Sequence, residues 1–309
     1  MSILLSRETT FIVQGITGRE AVNLTRECLD YGSKVVGGVT PGRKGREVHG
    51  VPVFDTVAQA VENYGGPIDG SVVTVPPAFT RDAVCEAIEN GVKLVVIVTE
   101  RIPRGDVAQM VELAAMRGAR IIGPNCLGII VPDVIKMGGI GGPARNAAQA
   151  YTPGPIGVIS RSGGMTTEMS STLSAAGLGQ STAVSIGGDA IIGTTYAELM
   201  PFYEADEQTQ GIVIYTEPGG RMEAELARWV TDNNSRLPIV AFMAGRFMDE
   251  TPGMSFGHAG TIVEGREDTA AEKIARLGHA GIAVAERIED IPEMIRAKMA
   301  PDAAGARAS

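Results

Sequence analysis

The sequence is poor in cysteine, with only Cys28, Cys85 and Cys126 in 309 residues. These three lie far apart and have no Cys-x-x-Cys spacing, which argues against a disulfide framework and against a metal site. The amino-terminal residues lack the basic region and apolar stretch of a signal peptide, and no run reaches the roughly 18 apolar residues of a membrane span. These absences predict a soluble protein of a reducing compartment, the cytoplasm.

Positive charge and large aromatic residues are also scarce. The chain has 27 Lys and Arg against 36 Asp and Glu, a net charge of −9, and no long basic run. Nucleic acids and anionic membranes bind basic surfaces, so we expect neither as a partner. There are 40 glycines against seven Phe, and 44% of the residues are apolar, which is typical of an α/β protein with a sizeable core and many tight turns.

Short β-branched segments alternate with helical patterns, which predicts parallel sheets built from β-α-β units. The length predicts two domains, which we place at residues 1–130 and 131–309. The Gly-, Pro- and Ala-rich stretch 131–155 lacks clear periodicity, and we interpret it as their connection. Predicted strands are 11–14, 34–39, 70–75, 94–98, 119–122, 156–160, 182–186, 211–216, 239–244 and 282–285, and predicted helices are 18–31, 56–64, 79–90, 104–117, 164–176, 194–204, 221–233, 268–279 and 289–299.

A glycine turn joins the first predicted strand to the first helix, in the sequence Gln-Gly-Ile-Thr-Gly-Arg-Glu-Ala that begins at Gln14. Exposed N–H groups at the start of a helix attract phosphate. The match to a dinucleotide fingerprint is poor, because Ala21 replaces the third glycine and no acid follows the second strand to hold a ribose hydroxyl. The turn therefore favours a phosphate-bearing ligand other than NAD, and a purely structural turn remains the alternative.

The other predicted strands of the first half also end in unusual residues. The second is followed by Thr-Pro-Gly-Arg-Lys-Gly from Thr40, the third by two prolines from Pro76, the fourth by Glu100, and the fifth by Gly-Pro-Asn-Cys with Asn125. Cations on a loop are usually just solvated, and any one of these endings is a weak signal. Five consecutive strand ends of this kind are difficult to explain by packing alone and indicate a ligand site.

In the second half, a buried strand runs into Ser-Arg-Ser-Gly-Gly from Ser160 and then into a helix. Backbone donors at a helix amino terminus suit a phosphoryl or carboxylate group, and an ordinary N-cap is the alternative. Another strand ends at Glu217, in Thr-Glu-Pro-Gly-Gly. A lone glutamate at such a position is more often solvated than catalytic.

The chain has three histidines, and they differ in their surroundings. His49 lies in a polar loop, and His279 ends a helical stretch, where it can complement the helix dipole. His258 lies in Gly-His-Ala-Gly, a segment without helix or strand pattern, where glycine lets the backbone approach a ligand. We predict that His258 is catalytic and that Glu217 orients its ring, as carboxylates do for catalytic histidines.

Taken together and in this order, the motifs resemble the α subunits of the succinyl-CoA synthetase family, including its citryl-CoA and malyl-CoA synthetase relatives. The resemblance runs from Met1 to about Ile295. The segments that carry it are Gln-Gly-Ile-Thr-Gly at 14–18, Val-Gly-Gly-Val-Thr-Pro-Gly at 36–42, Gly-Pro-Asn-Cys at 123–126, Ser-Arg-Ser-Gly at 160–163, Gly-Gly-Asp at 187–189 and Gly-His-Ala-Gly at 257–260.

The resemblance implies an N-terminal Rossmann-like CoA-binding domain and a C-terminal flavodoxin-like parallel-sheet ligase domain. It also implies an ADP- or GDP-forming acid–CoA ligase of the tricarboxylic acid cycle, with CoA and a phosphohistidine at His258. A β subunit with an ATP-grasp domain would hold ATP or GTP with Mg²⁺ in a heterodimer or heterotetramer. By position, CoA would contact Thr17, Gly18, Arg19, Val39, Pro41, Arg43, Pro76, Glu100 and Asn125, and the phosphoryl group and acid would contact Ser162, Gly163, Gly164 and Thr167.

One departure from the family concerns the acid. Succinyl-CoA synthetases usually have Ser-Gly-Thr-Leu-Thr-Tyr-Glu where this chain has Ser-Gly-Gly-Met-Thr-Thr-Glu from Ser162, which resembles ATP-citrate lyase. A larger or hydroxylated acid such as citrate or malate is therefore an alternative to succinate. A non-catalytic CoA-binding regulatory protein is a second alternative, which would need neither His258 nor Glu217, and a dehydrogenase is a third.

Overall fold

The computed structural model describes residues 3–251, 253–254, 257–263, 265 and 268–300. These residues form two seven-stranded sheets. In the first sheet the order is β3-β4-β2-β1-β5-β6-β7, and all neighbouring pairs are parallel except β3 with β4. The strands are β1 (Thr10–Gln14), β2 (Lys34–Val39), β3 (Glu47–Val48), β4 (Val51–Phe54), β5 (Gly70–Val73), β6 (Leu94–Ile97) and β7 (Arg120–Ile122), with helices α1 (Arg19–Asp30), α2 (Val57–Tyr64), α3 (Pro77–Glu89) and α4 (Arg104–Arg117).

The second sheet has the order β14-β13-β12-β10-β11-β8-β9. It is parallel from β14 to β11, and β8 and β9 add an antiparallel edge. The strands are β8 (Gly128–Val131), β9 (Ile135–Met137), β10 (Pro153–Ser160), β11 (Gln180–Ser185), β12 (Gly211–Thr216), β13 (Ile239–Met243) and β14 (Ala283–Ala285), with helices α5 (Ala144–Ala150), α6 (Gly163–Ala175), α7 (Tyr196–Ala205), α8 (Met222–Asn233), α9 (Ala270–His279) and α10 (Ile291–Met299) and 3₁₀ turns at Arg246–Glu250 and Ile288–Asp290.

Local sequence explains the main elements. All five residues of β1 and all six of β12 are buried, as expected for central parallel strands covered on both faces. Helix α2 begins where the Thr56 hydroxyl accepts a hydrogen bond from the Gln59 N–H group, and it ends at Gly65 in the left-handed conformation. The α/β architecture with two parallel-rich sheets confirms the predicted fold class.

The stretch 131–155 differs from its interpretation as an irregular connection. It contains β9, α5 and the start of β10. Strand β8 spans the predicted domain boundary at residue 130 and pairs with β11. β8 and β9 form an antiparallel pair, so they lie outside the alternation of strand and helix from which the other strands were predicted. The domain boundary at residue 130 stays a prediction.

The two halves of the chain pack against each other through apolar side chains and backbone hydrogen bonds. One apolar cluster combines Phe11 of β1 with Ile159 of β10. The N–H group of Gly193 donates to the Gly123 carbonyl at 2.8 Å, joining the second half to the end of β7. In the described part of the chain, no helix is both long enough and apolar enough to cross a membrane.

Candidate active site

The site in the second half is formed where the sheet order reverses between β10 and β12. These strands run side by side, with Ser160 in register with Tyr215. The two strands continue into different segments: β10 is followed by α6, and β12 is followed by Glu217. Open α/β sheets bind ligands in the crevice at such a switch point.

Glu217 and His258 meet in this crevice. Nδ1 of His258 lies 2.9 Å from Oε2 of Glu217, and the two side chains are 25% and 9% exposed. Because an ionised carboxylate can only accept, the neutral ring carries its hydrogen on Nδ1 and keeps a lone pair on Nε2. The arrangement therefore provides an oriented histidine whose Nε2 can act as a nucleophile.

The Glu217 carboxyl stays ionised although it is largely buried. Burial alone raises its pKa, but the hydrogen bond and charge of His258, the charge of Arg161 and a hydrogen bond from Tyr215 together hold the pKa below its ordinary value. The carboxylate can thus stabilise a positively charged or modified imidazole at neutral pH.

The His258 ring lies directly on the Gly187–Asp189 turn after β11. A Cβ atom on Gly188 would come within 2.5 Å of the ring, so only glycine leaves room for it there. The Gly188 carbonyl accepts the N–H group of Gly260 at 3.2 Å, and the Thr261 N–H group and hydroxyl donate to the His258 carbonyl at 3.1 and 2.7 Å. These contacts fix both the backbone and the ring of the histidine.

Arg161, directly after β10, is a buried guanidinium at the centre of the site, with 1% of its surface exposed. It donates to the carbonyls of Gly188 and Asp189 at 3.3 and 2.9 Å. A Cβ atom on Gly260 would lie 2.2 Å from its Nη2 atom, so the histidine loop packs closely against it. Its charge also contributes to the low pKa of Glu217.

Helix α6 begins beside the Glu217–His258 pair. Ser162 is its N-cap, and its hydroxyl accepts a hydrogen bond from the Met165 N–H group at 3.4 Å. Gly163 packs against Leu127, whose side chain leaves no room for a Cβ atom. Gly164 is exposed, with nothing within 4 Å of a Cβ position. The first N–H groups of a helix have no intrahelical partner, so this end can hold an anion.

Thr167 lies one turn further along α6 and has a structural partner. Its hydroxyl lies 2.9 Å from the Tyr151 hydroxyl, a fully buried group at the end of α5. Burial raises the pKa of Tyr151 far above its ordinary value, so the phenol stays protonated. Thr167 therefore faces α5 with its hydroxyl, whereas Gly164 is open to a ligand.

The first sheet reverses its order between β1 and β5, and the predicted CoA residues lie at its carboxyl edge. The Gly15 N–H group donates to the Val39 carbonyl at 2.7 Å, and Val39 is buried in the core, so it lies behind the surface of the site. The Asp55 carboxylate accepts the Arg43 N–H group at 3.0 Å and shapes that loop. The remaining predicted CoA residues are surface-accessible in turns and helix starts: Thr17, Gly18, Arg19, Pro41, Pro76, Glu100 and Asn125.

A cavity of about 270 Å³ joins the two halves of the site. Glu100 and Asn125 line it from the first sheet, and Gly257 and Ala259, which flank His258, line it from the second half. Across it, the Asn125 amide donates to the Asp189 carboxylate at 3.0 Å. The described residues contain no cluster of three or more His, Cys, Asp or Glu side chains that could hold a metal ion.

Two family models match the chain, the CoA binding domain over residues 6–101 and the succinyl-CoA ligase like flavodoxin domain over residues 153–298. The chain is 42% identical to succinate–CoA ligase [ADP-forming] subunit alpha 1 of Archaeoglobus fulgidus, over 96% of this chain and 98% of that one. It is 38% identical to the corresponding alpha subunit of Staphylococcus epidermidis, over 94% and 93% of the two chains. The chain belongs to the succinate–CoA ligase α-subunit family.

Solved structures agree with this family at the level of the fold. ATP citrate lyase from Methanothrix soehngenii, in complex with citrate and coenzyme A, superposes with a TM-score of 0.89 at 24% identity, over 96% of this chain and 50% of that one. The dinucleotide-forming acetyl-coenzyme A synthetase 1 of Ca. Korarchaeum cryptofilum gives 0.73 at 21% identity, over 94% and 60%. This chain thus spans about half the length of ATP citrate lyase. The predicted family resemblance is confirmed.

Several residues of this α-subunit site were not predicted as functional. Arg161 and Asp189 lie inside motifs that carry the family resemblance, and their only sequence signal is a charged residue shortly after a buried strand, one residue after β10 for Arg161 and four after β11 for Asp189. Lys273, which donates to the Glu217 carbonyl at 3.0 Å, and its buried partner Glu223 gave no signal, because charged residues within helical patterns are normally read as solvent-exposed.

Proposed function

We propose that this chain is the α subunit of an acid–CoA ligase that forms a nucleoside diphosphate, and that His258 carries the phosphoryl group between substrates. The observation that supports this most directly is the 2.9 Å hydrogen bond between Nδ1 of His258 and Glu217, which leaves Nε2 as the free nucleophile. A protein that only binds CoA would need no such pair.

The reaction proceeds in three transfers. Nε2 of His258 attacks the γ-phosphorus of the nucleotide, so an N–P bond forms and the bond to the departing diphosphate breaks. A carboxylate oxygen of the acid then attacks this phosphorus, which breaks the N–P bond and gives an acyl phosphate. CoA supplies the thiol that takes the acyl group, and phosphate leaves with the thiol proton. Dividing one difficult step in this way is the advantage of covalent catalysis.

The residues of this chain have distinct roles in that sequence. Glu217 keeps the Nδ1 hydrogen in place and balances the charge of the phosphorylated ring. The helix start capped by Ser162 holds the phosphoryl oxygens with the preorganised N–H donors of Gly163 and Gly164. The carboxyl edge of the first sheet, from Thr17 to Asn125, binds CoA, and the shared cavity connects it with the segment around His258.

The nucleotide belongs to a partner. The sequence has no Gly-rich Walker loop, and α-subunit relatives imply a β subunit. We propose that an ATP-grasp domain of this β subunit holds ATP or GTP with Mg²⁺ and offers a second helix start to the phosphoryl group.

The acid substrate is the part of the function on which this chain differs from succinate enzymes. Its relatives are named for succinate, but the open space at Gly164 favours a bulkier or hydroxylated carboxylic acid at this end of α6. We therefore propose a di- or tricarboxylate, with citrate and malate as candidates beside succinate.

The test uses the complex of this chain with its β subunit and γ-labelled ATP or GTP. The chain should acquire an acid-labile, base-stable label, and His258→Asn should abolish it. His279→Asn is the matched control and should keep the label, because His279 lies exposed at the end of α9. Label that survives in the His258→Asn complex would contradict the assignment, and a panel of acids assayed for CoA-dependent phosphate release would identify the substrate.

A further inference from the structure

A buried ion pair lies behind the catalytic glutamate. Nζ of Lys273, in the first turn of α9, is 2.6 Å from Oε2 of Glu223, in the first turn of α8. The two side chains are 1% and 0% exposed, so neither charge reaches solvent. Burying two charges is costly, and apolar residues of similar volume often stabilise such a position equally well or better. Stability alone is therefore a weak explanation for this pair.

The ion pair holds the turn that carries Glu217. Besides the bond to Glu223, Nζ of Lys273 donates to the backbone carbonyl of Glu217 at 3.0 Å and to that of Gly219. The three hydrogens of the ammonium group thus have three oxygen partners. Glu223 in turn accepts the hydroxyl of Thr216 with its other carboxylate oxygen, so the pair holds the side chain before Glu217 and the backbone of Glu217 and Gly219.

The same turn touches the histidine segment. Gly219 has a φ of 86°, and a Cβ atom there would lie 2.4 Å from the Gly260 carbonyl oxygen. Displacement of the turn would therefore move Glu217 relative to His258 and change the packing beneath the histidine. The orientation of the imidazole depends on backbone atoms whose hydrogen-bond partner is Lys273.

We propose that Lys273 and Glu223 are positioning residues, which keep the Glu217 carboxylate where it holds the hydrogen of His258 on Nδ1. The inference rests on the proposed function, because it assigns a purpose to the tautomer that leaves Nε2 free. Outer residues that orient a metal-bound histidine influence its function by about 10- to 100-fold, and we expect an effect of that order here.

The variant must avoid an unpaired buried charge. Lys273→Met alone would leave Glu223 charged and buried, and such changes strongly destabilise a protein. Lys273→Met with Glu223→Gln removes both charges and keeps similar volumes. The matched control is Lys136→Met with Glu27→Gln, since Lys136 is also fully buried, lies 3.6 Å from Glu27 and donates to a backbone carbonyl, that of Gly142, away from the site. Thr216→Val is a milder second variant that removes only one hydrogen bond of the network.

The experiment measures two quantities on the αβ complex with ¹⁵N-labelled histidine. Two-bond ¹H–¹⁵N correlations report the tautomer of His258, and label from γ-labelled nucleotide reports the rate of phosphorylation. The Lys273→Met/Glu223→Gln complex should show a mixture of tautomers and about 10- to 100-fold slower labelling with unchanged nucleotide KM. Thr216→Val should change both in the same direction to a smaller extent, and the control complex should match wild type.

Wild-type tautomer and labelling rate in the folded double variant and in Thr216→Val would overturn the inference. A different result would identify a failure of the proposed function. If wild type takes no label while the double variant still loses the Nδ1–H tautomer, the phosphohistidine is wrong and the positioning role stands.

Discussion

A Cβ atom on Gly188 would lie 2.5 Å from Cγ and Cδ2 of the His258 ring. Real Cβ atoms essentially never approach other heavy atoms so closely, so this glycine is required for space and not for an unusual φ angle. The turn after β11 and the histidine segment after β13 can thus pack this closely only because Gly188 has no side chain.

Gly188→Ala should therefore displace the imidazole and break its bond to Glu217. We expect at least tenfold slower phosphorylation of His258, because misplacement of a catalytic group by about 1 Å costs up to about a hundredfold in rate. CoA binding should weaken less than phosphorylation, since the turn contacts the predicted CoA residues at Asn125, whose carbonyl accepts the Gly188 N–H group at 3.2 Å. The control is Gly278→Ala, at an exposed helical position with nothing within 4 Å of the Cβ atom, which should leave phosphorylation unchanged. Wild-type phosphorylation by Gly188→Ala would contradict this fit.

Glu217→Gln should weaken both phosphorylation and stability, with a defined pH dependence. The folded pKa of Glu217 lies below its unfolded value, so the ionised carboxylate stabilises the fold fully above the ordinary glutamate pKa, about 4.3. This contribution is lost as the pH falls through the lowered folded pKa. We expect Glu217→Gln to lower the free energy of unfolding by about 1 kcal/mol near neutral pH. The decrease should become progressively smaller below about pH 4.

Urea unfolding of the variant and wild type at several pH values measures this difference. Glu286→Gln is the control, because that carboxylate pairs with Arg246 on the surface with 78% of its side chain exposed. Its effect should stay within about 0.5 kcal/mol at every pH. A Glu217→Gln deficit that grows on acidification would refute the sign of the pKa shift.

Sequence patterning predicted the long elements well. β2, β12 and α4 have the predicted bounds, because each combines a clear apolar pattern with Gly, Pro or polar residues at its ends. The short strands β3, β4, β8 and β9 were missed, because β3 with β4 and β8 with β9 form antiparallel pairs outside the alternation of strand and helix that revealed the other strands. Their existence depends on partners elsewhere in the sheet.

The site was predictable where its chemistry is local. His258 stood out by its surroundings, and its pairing with Glu217, 41 residues away, followed from a general rule for catalytic histidines. Lys273 and Glu223, 50 residues apart, meet only because α8 and α9 start at the same edge of the sheet. A pattern along the chain cannot reveal such convergence, and it normally assigns both charges to the surface.

The cysteines should differ strongly in reactivity. Burial raises the pKa of Cys126 to about 12 and that of Cys28 to about 11. At pH 8 only about one Cys126 in ten thousand would be a thiolate, and both thiols are covered. Iodoacetamide should therefore modify half-buried Cys85 first in the folded chain, as mass spectrometry of peptides would reveal. In urea all three should react alike, and early modification of Cys28 or Cys126 in the folded chain would contradict their burial.

Gly164→Thr should move the acid preference toward succinate. Nothing lies within 4 Å of a Cβ atom on Gly164, so the new side chain folds without a clash and fills space that a larger acid would use. Adding or removing a group of this size in a binding site changes the discrimination between two acids by about 1–3 kcal/mol. This corresponds to roughly 10- to 200-fold in the ratio of their kcat/KM values. Adding Thr167→Tyr should shift the ratio further and also cost stability, since it breaks the 2.9 Å contact with the Tyr151 hydroxyl.

The measurement compares kcat/KM for succinate, malate and citrate in the αβ complex, with Gly278→Ala as the neutral control. A wild type that already prefers succinate by a wide margin, or a Gly164→Thr complex with an unchanged ratio, would show that the start of α6 does not select the acid.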